Sequence, residues 1–199
     1  NDVTAKLKDL GFDVVKLIDG NASQQRSAIT TFKKKLRTAD VGLFYYSGHG
    51  IAVNGANYII PVDARLATND AVDRELVRVD SVIGGDPSQG KKMLLFLDAC
   101  RDNPFLQKVA KLSGVSASRG LAVTKRMKQL KADVGLSRLD AGNRNLFVAF
   151  ATQPGNVALD GLPGSNNSPF TAAFIKHVDQ KFEVRELLTR VRASVANGT

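Results

Sequence analysis

Residues 41–50 read Val41-Gly42-Leu43-Phe44-Tyr45-Tyr46-Ser47-Gly48-His49-Gly50. The apolar, aromatic-rich run from Val41 to Tyr46, closed by glycines, reads as a buried strand. A histidine between two glycines at its carboxyl end has no packing reason to be there, whereas glycine lets the backbone bend sharply or approach a ligand closely. Ligands of open α/β sheets bind at the carboxyl ends of the strands. His49 therefore stands where a catalytic side chain would.

Working outward, a second continuous apolar run, Met93–Leu97, leads into Asp98-Ala99-Cys100, and a third strand is expected over 146–151. Helical spacing of Val3, Leu7 and Leu10 predicts a helix over 2–10 with Gly11 as its C-cap, and Phe12–Ile18 is a short strand candidate. Asp19-Gly20-Asn21 is a turn, followed by a helix over 22–38 with Ile29, Phe32 and Leu36 on its apolar face. Asn54-Gly55 between Val53 and Tyr58 predicts a hairpin, and Val72–Ile83 a weaker amphipathic helix. Pro169–Val178 and Val184–Val195 are expected as closing helices, the first started by Ser168-Pro169. Helices alternating with continuous apolar strands predict one α/β domain over 1–199, a three-layer α/β/α arrangement around a mainly parallel sheet. Residues 103–144 show only weak periodicity and are expected to form a basic, mobile or processing loop.

The 28 Lys and Arg outnumber the 19 Asp and Glu, for a net charge of +9. Seven of those nine charges fall between Asn103 and Ala132, a stretch without acidic residues. One local basic segment without interleaved aromatics argues against nucleic acid as a partner. No apolar run of about 18 residues is present, so no membrane span is expected, and a cytoplasmic location is the default expectation. The single cysteine, Cys100, excludes an intrachain disulfide. A lone cysteine is most often a small core hydrophobe. Here it closes a strand where the chain turns polar, as His49 does. If the two strands are parallel neighbours, thiol and imidazole come within reach, and the imidazole favours the nucleophilic thiolate. His177, the other histidine, reads as a surface residue. One cysteine and two distant histidines form no compact metal set. No phosphate loop or dinucleotide fingerprint occurs, so no cofactor is expected.

Tyr45-Tyr46-Ser47-Gly48-His49-Gly50, followed about fifty residues later by Leu97-Asp98-Ala99-Cys100-Arg101, resembles the caspase-fold cysteine peptidases of clan CD. The resemblance is greatest to the bacterial metacaspase-like (orthocaspase) branch. It continues through Asn57–Asp63, Ala151–Asp160 and Asn167–Thr171. It implies Cys100 as nucleophile, His49 as general base and acid, and the backbone N–H groups of Gly50 and Cys100 as the oxyanion hole. Asp160 stands at the position of the caspase pocket arginine. Asp98 matches the acidic pocket residue of metacaspases and paracaspases. Two carboxylates suit an arginine or lysine before the scissile bond. With that specificity, Arg119, Lys125, Arg126, Lys128, Lys131, Arg138 and Arg144 become candidate self-cleavage points. Calcium dependence is not expected, although Asp63 could shape the site. The family's first and last core strands have no counterpart in the chain. An upstream segment or separate fragment is therefore expected to supply the first, beside 41–46. The competing class is a catalytically silent caspase-like interaction module.

Overall fold

The computed structural model of the chain describes residues 2–68, 70–83, 90–100, 132–133, 136, 139, 145–151 and 166–198. The run Met93–Leu97 has no polar residue to turn toward water, so both of its faces must be covered. The element order supplies those covers: α1 (Asp2–Asp9), α2 (Ala22–Leu36), β1 (Val41–Val53), β2 (Ala56–Ile59), α3 (Ala71–Glu75), β3 (Val77–Arg78), α4 (Asp80–Ile83), β4 (Lys92–Cys100), β5 (Ala132–Asp133), β6 (Leu146–Phe150), α5 (Pro169–His177) and α6 (Val184–Ala196). The strands form one sheet in the order β3-β2-β1-β4-β6, with β5 beside β1. β4 runs parallel to both β1 and β6. The β1–β2, β2–β3 and β1–β5 pairs are antiparallel, so the sheet is mixed, with a parallel centre.

Strand alternation divides the core in two. Met93, Leu95, Leu97 and Ala99 face one way and pack under Ile29 and Leu36 of α2 and Val82 and Ile83 of α4. Phe96 and Ala149 face the other way, against Val3 and Leu7 of α1, Phe170 and Phe174 of α5, and Leu187 and Val191 of α6. Each fully buried side chain of this size contributes about 1.5–3 kcal/mol. The helices are started by their sequences. Asn21 and Gln24 form a capping box at α2. At α5 the Ser168 side chain accepts the Thr171 N–H, and Pro169 occupies the first turn. The three-layer α/β/α architecture agrees with the sequence reading.

Several expectations about individual elements change. Phe12–Ile18 forms no strand. Phe12 and Val14 pack in the same cluster as Leu43 and Tyr45 of β1, but no described strand lies alongside to complete a ladder. Over Val41–His49 β1 has β4 along one edge, and no described strand pairs with the other. The helix expected over 72–83 is broken at Leu76, whose backbone is extended. Val77 and Arg78 pair instead with Ile59 and Tyr58, a long-range ladder that outweighs weak helical periodicity. Ala132 and Asp133, in the stretch read as loop, pair with Val53 and Ala52.

The largest change concerns β1, which does not stop at Tyr46. It continues through the glycines to Val53 and changes partner on the way. His49 is the last residue in register with β4, and Gly50 the first in register with β2. Gly48 makes the change possible. Its φ is +155°, and a Cβ there would lie 2.7 Å from Tyr46 Oη. That hydroxyl donates to the His49 carbonyl at 2.7 Å. Gly48→Ala should therefore cost about 1–3 kcal/mol of stability, read from urea unfolding midpoints. Removing the clashing hydroxyl as well, in Tyr46→Phe/Gly48→Ala, should be less destabilising than the two single losses added together. A Gly48→Ala protein as stable as the parent would contradict this account of the bend.

Candidate active site

β1 and β4 meet the carboxyl-end edge of the sheet together. Their register runs Tyr46↔Leu97, Ser47↔Asp98, Gly48↔Ala99 and His49↔Cys100, and β4 ends at Cys100. His49 is exposed. Its carbonyl is held twice, by the Ile60 N–H at 2.9 Å and by the Tyr46 hydroxyl, so its backbone is pinned between the hairpin and its own strand. The structure thus brings residues 49 and 100 alongside one another on neighbouring parallel strands, although 51 positions separate them in sequence.

Gly50 is buried, and a Cβ there would lie 3.1 Å from Leu136 Cδ2 and 3.2 Å from Ala99 Cβ. The glycine after His49 therefore has a packing reason that the sequence did not display. Even a methyl group there would be a tight fit, which Leu136 and Ala99 would have to yield by a few tenths of an ångström to accept.

Asp98 lies deeper than a pocket residue read from sequence would suggest. It is 1% exposed. Its Oδ2 accepts from the hydroxyl of Ser168 and from Thr171 Oγ1, the latter at 2.6 Å. Ser168 Oγ also accepts the Thr171 N–H at 2.9 Å, so the carboxylate sits at the amino end of α5, where the helix dipole favours negative charge. The Tyr45 hydroxyl lies 2.5 Å from Thr171 Oγ1. Burial, reinforced by the Asp98 charge, pushes the Tyr45 phenol well above its ordinary pKa. Ser168, Thr171 and Tyr45 were not singled out from sequence as site residues. Ser168-Pro169 reads as a helix start, and nothing local shows that its hydroxyl reaches back to a strand 70 residues earlier.

The remaining polar candidates serve the fold. His177 is not a surface residue: it is half-buried, and its Nε2 lies 2.9 Å from Ser194 Oγ, tying α5 to α6. Asp63 accepts the Ala22 N–H at 3.0 Å, at the amino end of α2. Glu75 accepts the N–H groups of Arg65 and Leu66, which hold its carboxyl below the usual range. Asp73 accepts from the Tyr58 hydroxyl at 3.1 Å, and Asp80 pairs with Arg78 at 2.7 Å. Among the described residues no group of three or more His, Cys, Asp or Glu could hold a metal ion, and no helix is long and apolar enough to cross a membrane. Asp160 and the candidate cleavage points Arg119, Lys125, Arg126, Lys128, Lys131, Arg138 and Arg144 lie outside the described residues.

Comparison with known proteins bears on the fold. Human mucosa-associated lymphoid tissue lymphoma translocation protein 1 is 38% identical over 63 residues, which is 32% of this chain and 8% of that protein. Its mouse homolog is 36% identical over 63 residues, with the same shares. The matched stretch is thus under a tenth of either curated relative. The solved structure of pro-sf-caspase-1 superposes with a TM-score of 0.57 at 17% identity, covering 98% of this chain and 67% of that one. At that identity the likeness is one of fold. The profile of the caspase domain matches residues 1–199, the whole chain, and the chain belongs to the caspase-domain family.

Proposed function

We propose that this domain is a cysteine endopeptidase that cuts after arginine or lysine, with Cys100 as nucleophile and His49 as general base and acid. The observation that carries the reading is the parallel register of His49 with Cys100 at the end of β4. Register partners on adjacent parallel strands project to the same face, with backbones about 4.8 Å apart. A thiol and an imidazole on such register partners would serve as nucleophile and base.

In the proposed reaction the Cys100 thiolate attacks the carbonyl carbon of the scissile peptide. The carbonyl oxygen takes up the negative charge and is met by the backbone N–H groups of Gly50 and Cys100. The tetrahedral species collapses with loss of the C–N bond, and His49 gives its proton to the departing amine. The resulting thioester is hydrolysed by a water that passes a proton to His49, which returns it to the thiol. No metal or cofactor takes part.

Substrate choice follows from charge. Asp98 and Asp160 would place two carboxylates by the pocket for the residue before the cut. A guanidinium or ammonium is matched there, while an aspartate side chain meets like charge. Within the family, the motifs Tyr45–Gly50 and Leu97–Arg101 favour the metacaspase-like branch. The basic segment 103–144 is then a processing loop in which the enzyme's own specificity finds substrates. The edge of β1 over Val41–His49 that no described strand covers would seat a strand from an upstream segment or a separate fragment.

Short fluorogenic peptides ending in Arg, Lys or Asp test this reading. Arg- and Lys-ended peptides should be cleaved, the Asp-ended one at least about 100-fold more slowly, and Cys100→Ala should abolish cleavage. Absence of any Cys100-dependent cleavage would leave the silent interaction module as the better reading. Intact-mass analysis after long incubation addresses processing. New species with ends after Arg or Lys in 119–144 are expected in the parent and not in Cys100→Ala. Identical masses would remove self-cleavage.

A further inference from the structure

We infer that Tyr45, Ser168 and Thr171 are positioning residues for the Asp98 carboxylate, and that through it they set the domain's affinity for a basic side chain before the scissile bond. The inference rests on the proposed role of Asp98 as a pocket acid. The three residues come from β1, from the cap of α5 and from its first turn, and they converge on β4 two residues before Cys100.

A hydroxyl has one hydrogen to donate. Thr171 donates its own to Asp98 Oδ2, and the Tyr45 phenol, 2.5 Å from Thr171 Oγ1, also hydrogen-bonds with the Asp98 carboxylate. Ser168 likewise donates to Oδ2 while its oxygen receives the Thr171 N–H. Two hydroxyls thus hold one carboxylate oxygen, and the phenol closes the set beside them. Burial and the Asp98 charge raise the Tyr45 pKa, so the phenol keeps its proton beside the carboxylate. Tyr45 is itself fixed by its ring, 5.3 Å from that of Phe174 in α5.

Buried hydroxyls can be structural and nothing more. Two features give this set a further role. Hydrogen bonds in series polarise one another in a low-dielectric interior, and a charge fixed there is felt over several ångströms with little screening. In addition, the Ser168 hydroxyl ties the cap of α5 to the strand that ends at Cys100, so the residue that starts the helix also fixes the carboxylate at the candidate catalytic edge. A purely structural network would affect the binding of all peptides alike. A positioned charge affects basic ones.

The test measures binding by calorimetry in the Cys100→Ala protein, so that no turnover is required. The probes are one peptide amide ending in arginine and its counterpart ending in alanine. Thr171→Val should weaken the arginine peptide about tenfold and the alanine peptide less than about twofold, the range expected for losing a hydrogen bond to a charged group. Thr171→Ser, which restores the hydroxyl, should return affinity to within about threefold of the parent. Tyr45→Phe, which leaves the Ser168 and Thr171 bonds to Asp98 in place, should cost about threefold and serves if Thr171→Val does not fold. Unchanged affinity for the arginine peptide in the folded variants would overturn the inference. So would equal weakening of both peptides, or a parent that does not prefer arginine. The expected pattern without Cys100-dependent cleavage by the unsubstituted protein would uphold the inference and remove only the catalytic reading.

Discussion

The register between β1 and β4 is the constraint on which the rest depends. Nine consecutive residue pairs, Val41↔Lys92 to His49↔Cys100, run in parallel with apolar side chains on both faces. A slip of one residue would exchange the two faces, moving Phe44 and Tyr46 away from α2 and Leu43 and Tyr45 away from α5. Because both faces are covered, both cores resist that slip. The pairing of positions 49 and 100 is therefore a consequence of hydrophobic packing many ångströms away. It does not depend on any attraction between histidine and cysteine.

A second constraint is the buried carboxylate of Asp98. Taking a charged group out of water is unfavourable unless hydrogen bonds replace its hydration. Here the hydroxyls of Ser168 and Thr171 do so, under the amino end of α5. Strand β4 and helix α5 are joined by polar contacts at the carboxyl-end edge and by the Phe96–Phe174 ring contact, with centroids 4.8 Å apart, deeper in the same layer. On its other side the same edge packs tightly over Gly50, where a Cβ would lie 3.1 Å from Leu136 and 3.2 Å from Ala99. Close packing and a fixed charge thus surround the point where β4 ends.

Much of this was legible in the residues themselves. Met93–Leu97 announces a strand covered on both faces, the Asp19-Gly20-Asn21 turn announces the start of α2, and Ser168-Pro169 that of α5. His49 and Cys100 stood out because each ends an apolar run. What was not legible depends on distant partners. Val77 and Arg78 become a strand only because Ile59 and Tyr58 lie beside them. The continuation of β1 through Gly48 and Gly50 runs against glycine's poor strand preference and is decided by its change of partner from β4 to β2. Asp98 reads as a candidate pocket acid, but nothing near it in the sequence shows that it is buried or that two hydroxyls 70 and 73 positions later reach it. His177 looks solvent-facing until Ser194 of the next helix meets its ring.

The most direct measurement of the central claim is the rate at which an arginine-ended peptidyl chloromethyl ketone alkylates the protein, with the adduct located by mass spectrometry. The reagent needs a nucleophile, a base beside it and a pocket that accepts a basic side chain, all at once. The account predicts a single adduct on Cys100 and a rate at least about 100-fold lower in His49→Ala. Labelling that proceeds equally fast without His49, or that leaves Cys100 unmodified in the folded protein, would contradict it.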